Sequence, residues 1–238
     1  MEVTLDSIRD IRLYQSRTGY RFSVDALLLS DFVDLKVVGT IADLGAGSGI
    51  VGILLAKRYP GATVTLFEIQ KGPAALAERN VILNGLLGRV RVVRADITEL
   101  SCLNSSGKRY DLVVTNPPFR KWRSGRINLD EERAIARHEI KLSLPDLVNT
   151  VSYLLKPKGR FCVIYHPNRL VELMDSLREK GLEPKRLRFV HSNMASEAKM
   201  VLLEAVRGGK AGLEVERPFC IYAEDGRYSE EMETIYNQ

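Results

Sequence analysis

Asn116, Pro117, Pro118 and Phe119 follow directly on YDLVVT, a run whose Leu112, Val113 and Val114 read as a buried strand. The four residues suit one task, gripping a planar amino group. Asn116 carries a side-chain carbonyl that can accept a hydrogen bond, and the main-chain carbonyl of Pro117 is a second acceptor. The two prolines stiffen the loop, since each fixes its own φ and restricts the residue before it. Phe119 supplies a ring that can stack on a conjugated plane. A plain turn after a strand is the simpler alternative, because Asn and Pro are ordinary turn formers.

A second constellation lies upstream. Asp43-Leu44-Gly45-Ala46-Gly47-Ser48-Gly49 closes the apolar run that begins at Thr40. Gly45 and Gly47 permit a tight turn and close approach of the backbone to a ligand. The frame from Gly47 to Gly52 also fits the G-x-G-x-x-G of dinucleotide sites, yet the charges argue against a dinucleotide. Such a ligand brings an anionic pyrophosphate to the helix N-terminus, whereas Asp43 sets a carboxylate there. Glu68 and Asp96 repeat the carboxylate at the ends of the next two apolar runs. Glu68 lies ~20 residues past the glycine turn, where a ribose-binding acid is usual. Its two oxygens can accept from both ribose hydroxyls. Asp96 can accept from an adenine amino group, and Ile69 and Ile97 are placed to sandwich that adenine. Any one of these acids alone reads as a solvated strand end. The three in register with the glycines point to a cationic ligand with ribose and adenine and no phosphate, a description that S-adenosylmethionine meets.

These residues need a scaffold that gathers successive strand ends. Apolar runs at 40–44, 63–69, 90–94, 112–115, 160–165, 186–191 and 200–206 predict seven strands. Helical patterns at 26–35, 53–56, 73–83, 144–155 and 170–180 alternate with most of them. Pro73 and Pro145 enter two of these helices, and Gly181 ends the last. The alternation predicts an α/β fold, a mostly parallel sheet with helices on both faces. The final two strands lack a helix between them, so one is expected to be antiparallel. Ligands in such sheets bind beyond the carboxyl ends of the strands, where strand order reverses. Both the glycine loop and Asn116 fall at those ends.

With 238 residues and neither repeats nor a Ser/Gly-rich linker, the chain reads as one domain over 1–238. An apolar share of 45% is enough for a globular core. The net charge of +5 mildly favours polyanionic partners. Cys102, Cys162 and Cys220 are scattered and odd in number, which argues against a disulfide framework and a structural zinc site, so no metal is expected. The N-terminus is too charged for a signal peptide, and no apolar run is long enough to span a bilayer. A reduced cytoplasmic setting without a membrane partner is expected; oligomeric state is left open.

DLGAGSG, the acids at the next strand ends and NPPF together resemble the class I S-adenosylmethionine-dependent methyltransferases, and NPPF resembles their amino-methylating branch. The resemblance implies a Rossmann-like fold with S-adenosylmethionine as cofactor. GYRFSVDALLL from Gly19, then NPPF, Gly125-Arg126-Ile127-Asn128 and Ala136-Arg137-His138-Glu139 are similar to the bacterial tRNA(Val) adenine-37 N6-methyltransferase family over nearly the whole chain. That similarity implies methylation of an adenine amino group in tRNA, with Asn116, Pro117 and Phe119 catalytic and Asn116 also bordering the cofactor. It implies that residues 1–38 cover the cofactor, with Arg21 at the methionine carboxylate or Asp25 at its amine, and Ser23 beside them. Ser23 also suits a helix N-cap.

Relatives commonly carry Tyr at the place of Phe119, and Phe occurs in guanine-directed rRNA enzymes. A guanine-N2 rRNA methyltransferase is therefore the alternative, followed by a protein glutamine N5-methyltransferase. A non-catalytic RNA-binding protein is the reading from another class. Arg120, Lys121, Trp122, Arg123 and Arg126 come directly after NPPF. Four cations around an indole suit phosphates and a stacked base, or equally a solvated loop. With them tRNA is the expected partner.

Overall fold

The structure, a computed structural model, describes residues 3–16, 24–99, 109–117 and 142–237. It opens with a hairpin of β1 (Val3–Ile8) and β2 (Ile11–Ser16). Helix α1 (Val24–Phe32) then leads into the central sheet. The sheet strands are β3 (Thr40–Leu44), β4 (Thr63–Glu68), β5 (Val90–Arg94), β6 (Tyr110–Thr115), β7 (Leu155–Tyr165), β8 (Leu182–His191) and β9 (Ala198–Arg207). Between them lie α2 (Ile50–Arg58), α3 (Lys71–Leu83), α4 (Leu144–Leu154) and α5 (Leu170–Glu179). The chain closes with two short strands, β10 (Glu214–Val215) and β11 (Phe219–Cys220), and α6 (Glu230–Asn237).

Strand order runs β5-β4-β3-β6-β7-β9-β8, with β9 antiparallel to both neighbours and the remaining pairs parallel. The seven expected strands and the single antiparallel one are present. The described sheet has nine strands, because β10 and β11 each add a two-residue parallel pairing to β8. The strands read as continuous apolar runs because helices cover both faces. Alternate residues go to opposite sides: Ile41, Leu112 and Cys162 face α1, α2 and α3, whereas Ala42, Val113 and Phe161 face α4 and α5.

Order reverses between β3 and β6. The first chain passage goes outward through β4 and β5; the next returns to the other side of β3. Crevices at such reversals take ligands, and here the registered pair Leu44↔Thr115 marks the crevice floor. The hydroxyl of Thr115, buried, donates to the Leu44 carbonyl at 2.7 Å. That bond joins the two strand ends immediately before Gly45 and Asn116 leave the sheet.

Candidate cofactor and acceptor site

The glycine loop is built by backbone bonds to the neighbouring strand. Gly45 and Ala46 both donate to the Phe67 carbonyl at 2.9 Å. Gly45 and Gly47 take φ of +70° and +57°, the left-handed region where a side chain is strained. Gly52 is required for a different reason. A Cβ there would overlap the Leu66 side chain and stand 3.2 Å from Asp43 Oδ2. The loop can therefore fold back so that α2 starts directly over β3.

Asp43 lies differently from the sequence expectation. Expected at the ligand side, it sits beneath the loop, 1% exposed, and its Oδ2 accepts from the Gly52 amide at 2.9 Å. The fold-back of α2 creates this partner, nine residues away in sequence. Burial above all, with a smaller push from the nearby Glu68, raises the carboxyl to about 7 against the opposing pull of the Gly52 bond.

Glu68 ends β4 and is 5% exposed. Its Oε2 accepts from Gly47 N–H at 2.9 Å and its Oε1 from Gln70 N–H at 2.8 Å. Each carboxylate oxygen keeps a further lone pair for hydroxyls. Asp96 follows β5 and accepts from the amide and hydroxyl of Thr98 at 2.9 and 2.7 Å, both through Oδ1. Ile69 is 37% exposed beside Glu68, while Ile97 is 8% exposed with its carbonyl held by Thr150. The three acids thus stand at the carboxyl ends of three adjacent strands, as expected.

Asn116 and Pro117, both partly buried, follow β6 on the other side of the crevice. Asp25 is partly buried in the first turn of α1. Arg21, Ser23, Phe119, Arg120, Lys121, Trp122, Arg123 and Arg126 lie outside the described residues. Beyond Gly52, two residues of the site escape a reading by motif: Thr115 and Asn80, the latter a buried residue of α3 whose amide donates to the Ser48 carbonyl at 2.9 Å. The Gly52 signal was present as the last glycine of the G-x-G-x-x-G frame. Asn80 had no local signal, since its partners are far away in sequence.

The donor set fits a cationic nucleoside better than a dinucleotide. The Gly52 amide in the first turn of α2 is committed to Asp43, so it is not available to a pyrophosphate. Among the described residues there is no group of three or more His, Cys, Asp or Glu placed to hold a metal, and no helix long and apolar enough to cross a membrane.

A parallel sheet with one antiparallel strand, glycine loop and acids at its carboxyl rim defines the architecture of a class I methyltransferase. The methyltransferase small domain family matches residues 23–169, and the chain belongs to that family. The tRNA1(Val) (adenine(37)-N6)-methyltransferase of Porphyromonas gingivalis is 32% identical over 86% of this chain and 81% of its own. The protein of the same name from Parabacteroides distasonis is 26% identical over 94% and 92%. Among solved structures, a predicted O-methyltransferase of Agrobacterium tumefaciens superposes with a TM-score of 0.72 at 22% identity, over 89% of this chain and 95% of that one. The Thermus thermophilus 16S rRNA N2 G1207 methyltransferase in complex with AdoMet and guanosine gives 0.60 at 21%, over 87% and 50%. At these identities the two structures speak for the fold alone.

Proposed function

We propose that the protein is an S-adenosylmethionine-dependent methyltransferase acting on the exocyclic amino group of an adenine in tRNA, namely adenine 37 of tRNA1(Val). The observation that carries this reading is the juxtaposition across the β3–β6 crevice. Asn116 leaves the sheet one residue past the Leu44↔Thr115 pair, opposite the glycine loop with its acids. The relatives from Porphyromonas and Parabacteroides supply the substrate.

On this reading Glu68 accepts from the ribose hydroxyls and Asp96 from the adenine amino group, through the oxygen that Thr98 leaves open. Ile69 covers one face of that adenine and Ile97 the other. Asp43 acts through the loop, as a buried negative charge beneath a positively charged ligand. When bound, S-adenosylmethionine supplies a methyl group already activated by its sulfonium.

An adenine amino nitrogen is a poor nucleophile because its lone pair is delocalised into the ring. Asn116 Oδ1 and the Pro117 carbonyl accept its two hydrogens, favouring a pyramidal nitrogen, and hold it in line with the methyl group. Alignment of this kind is worth ~7–11 kcal/mol of barrier in favourable cases. The proton can leave after transfer, so no strong general base is needed. Phe119 stacks on the splayed base, a contact worth ~1–3 kcal/mol. The cations around Trp122 meet loop phosphates, and a cytoplasmic setting follows from a tRNA substrate.

Asn116→Ala tests the role. Turnover in a radiolabelled methyl assay should fall by at least 100-fold, with S-adenosylmethionine affinity by titration within about threefold of wild type. That fall matches the removal of one well-placed transition-state contact. Wild-type turnover in the variant would remove Asn116 from the mechanism.

A further inference from the structure

Two asparagines four residues apart, Asn80 in α3 and Asn84 at its C-cap, treat the open edge of β2 as a strand would. Asn80 Oδ1 accepts from the Tyr14 amide at 2.7 Å, and its Nδ2 donates to the Tyr14 carbonyl at 3.0 Å. One turn later Asn84 repeats the pattern at Arg12, with 3.0 Å from the amide and 2.7 Å to the carbonyl. The spacing explains the match. Four helical residues rise ~6 Å, close to the ~6.8 Å step between residues i and i+2 on a strand. Two side-chain amides thus replace a missing third strand and fix the hairpin's register on α3.

The two clasps differ in one respect. Asn80 is fully buried and its second amide hydrogen goes to the Ser48 carbonyl at 2.9 Å. The corresponding hydrogen of Asn84 goes to the Asn80 carbonyl, back along its own helix. Ser48 lies between Gly47, whose amide donates to Glu68, and Gly49, whose amide donates to Ala46 at 2.8 Å. Gly49 holds φ +89° at the N-cap of α2. Holding the Ser48 carbonyl fixes the Ser48–Gly49 peptide plane, and so the direction of the Gly49 amide at the turn into α2. A buried amide with both donors and its acceptor engaged has no alternative set of partners.

We propose that Asn80 is a positioning residue for the cofactor loop, coupling that loop to the N-terminal hairpin through one side-chain amide. Loop order and hairpin anchoring then rise and fall together, so filling the site tightens the β2 edge at Tyr14. This rests on the reading that the loop at Gly45 to Gly49 holds the cofactor.

Asn84 provides the matched control. Asn80→Asp and Asn84→Asp each keep side-chain volume and the acceptor for the strand amide, while turning the donor toward a carbonyl into a carboxyl oxygen. The expected result is an S-adenosylmethionine dissociation constant raised at least tenfold in Asn80→Asp and less than twofold in Asn84→Asp. At saturating cofactor, kcat and the KM for RNA in Asn80→Asp stay within about twofold of wild type. In the unmutated protein, S-adenosylmethionine should slow amide exchange at Tyr14 more than at Arg12, a measurement that stands even where Asn80→Asp does not fold. Equal effects of the two substitutions on cofactor affinity, or equal protection at Tyr14 and Arg12, overturn the proposal. Glu68→Gln separates the levels. If it leaves cofactor affinity unchanged, the placement of the cofactor fails and the proposal falls with it. If it weakens binding while the two asparagine variants behave alike, the coupling alone is wrong.

Discussion

Asp43 illustrates how far one residue can be read. Its type and place were legible, since an acid before a glycine loop at a strand end stands out. Its direction was not, because the Gly52 amide that receives it comes from the fold-back of α2. The burial has a consequence for stability. The carboxyl sits at about 7 in the folded chain against 3.8 as its ordinary value. A folded-state pKa raised in this way means stability that is fully present below pH ~4 and lost as pH rises through about 7. At one unit per ~1.4 kcal/mol, the loss is on the order of 4 kcal/mol or slightly more in the unliganded protein. Asp43→Asn should remove this loss, so urea denaturation should find the variant more stable than wild type at pH 8 and no more stable at pH 4. Affinity for the cationic cofactor should strengthen from pH 6 to pH 8 in wild type and stay flat in the variant. A variant with the same pH dependence of stability as wild type would show that Asp43 is not the group involved.

At the scale of elements, the strands beside the site were the most legible part. Buried strands covered on both faces are apolar at every position, and β3 and β5 run over the residues expected, 40–44 and 90–94. Polar and prolyl stretches hid the starts of two others, expected at 160 and 186. β7 begins at Leu155 through Lys156, Pro157 and Lys158, and β8 carries Pro184 at a break in its register with β9. The hairpin β1–β2 had no turn signal, as Arg9 takes φ +52° at its tip, where Asn-Gly would be usual. Its stabilising partners, Asn80 and Asn84, lie some seventy residues on. β10, β11 and α6 depend likewise on long-range contacts, with Phe219, Met232 and Ile235 buried in the core. The contact between α2 and β4 yields a prediction. Gly52→Ala gains up to ~1 kcal/mol of helix propensity, but its Cβ meets the fully buried Leu66 and presses on Asp43. Overpacking of this kind costs ~1–3 kcal/mol, so the variant should lose ~1–2 kcal/mol in urea denaturation and bind the cofactor more weakly. Unchanged stability and affinity would mean that the helix can lift away from β4 without penalty.

For the molecule as a whole, a single arrangement gathers the chemistry. The strand order reverses between the parallel neighbours β3 and β6, and that reversal sets the acids and glycines on one side of a crevice and Asn116 on the other. Strand–helix alternation made this architecture legible, and family membership over residues 23–169 agrees with it. The identity of the base was the least legible feature, because it turns on Phe119 and on the shape of a pocket rather than on any charge or period. The net charge of +5 suits RNA without choosing among RNAs. The most direct test is to incubate the purified protein with S-adenosylmethionine and total RNA lacking this modification, and then identify methylated nucleosides by mass spectrometry. The expected product is N6-methyladenosine in the tRNA fraction, at position 37 of tRNA1(Val). 2-Methylguanosine in rRNA, with no methylated adenine in tRNA, would contradict it.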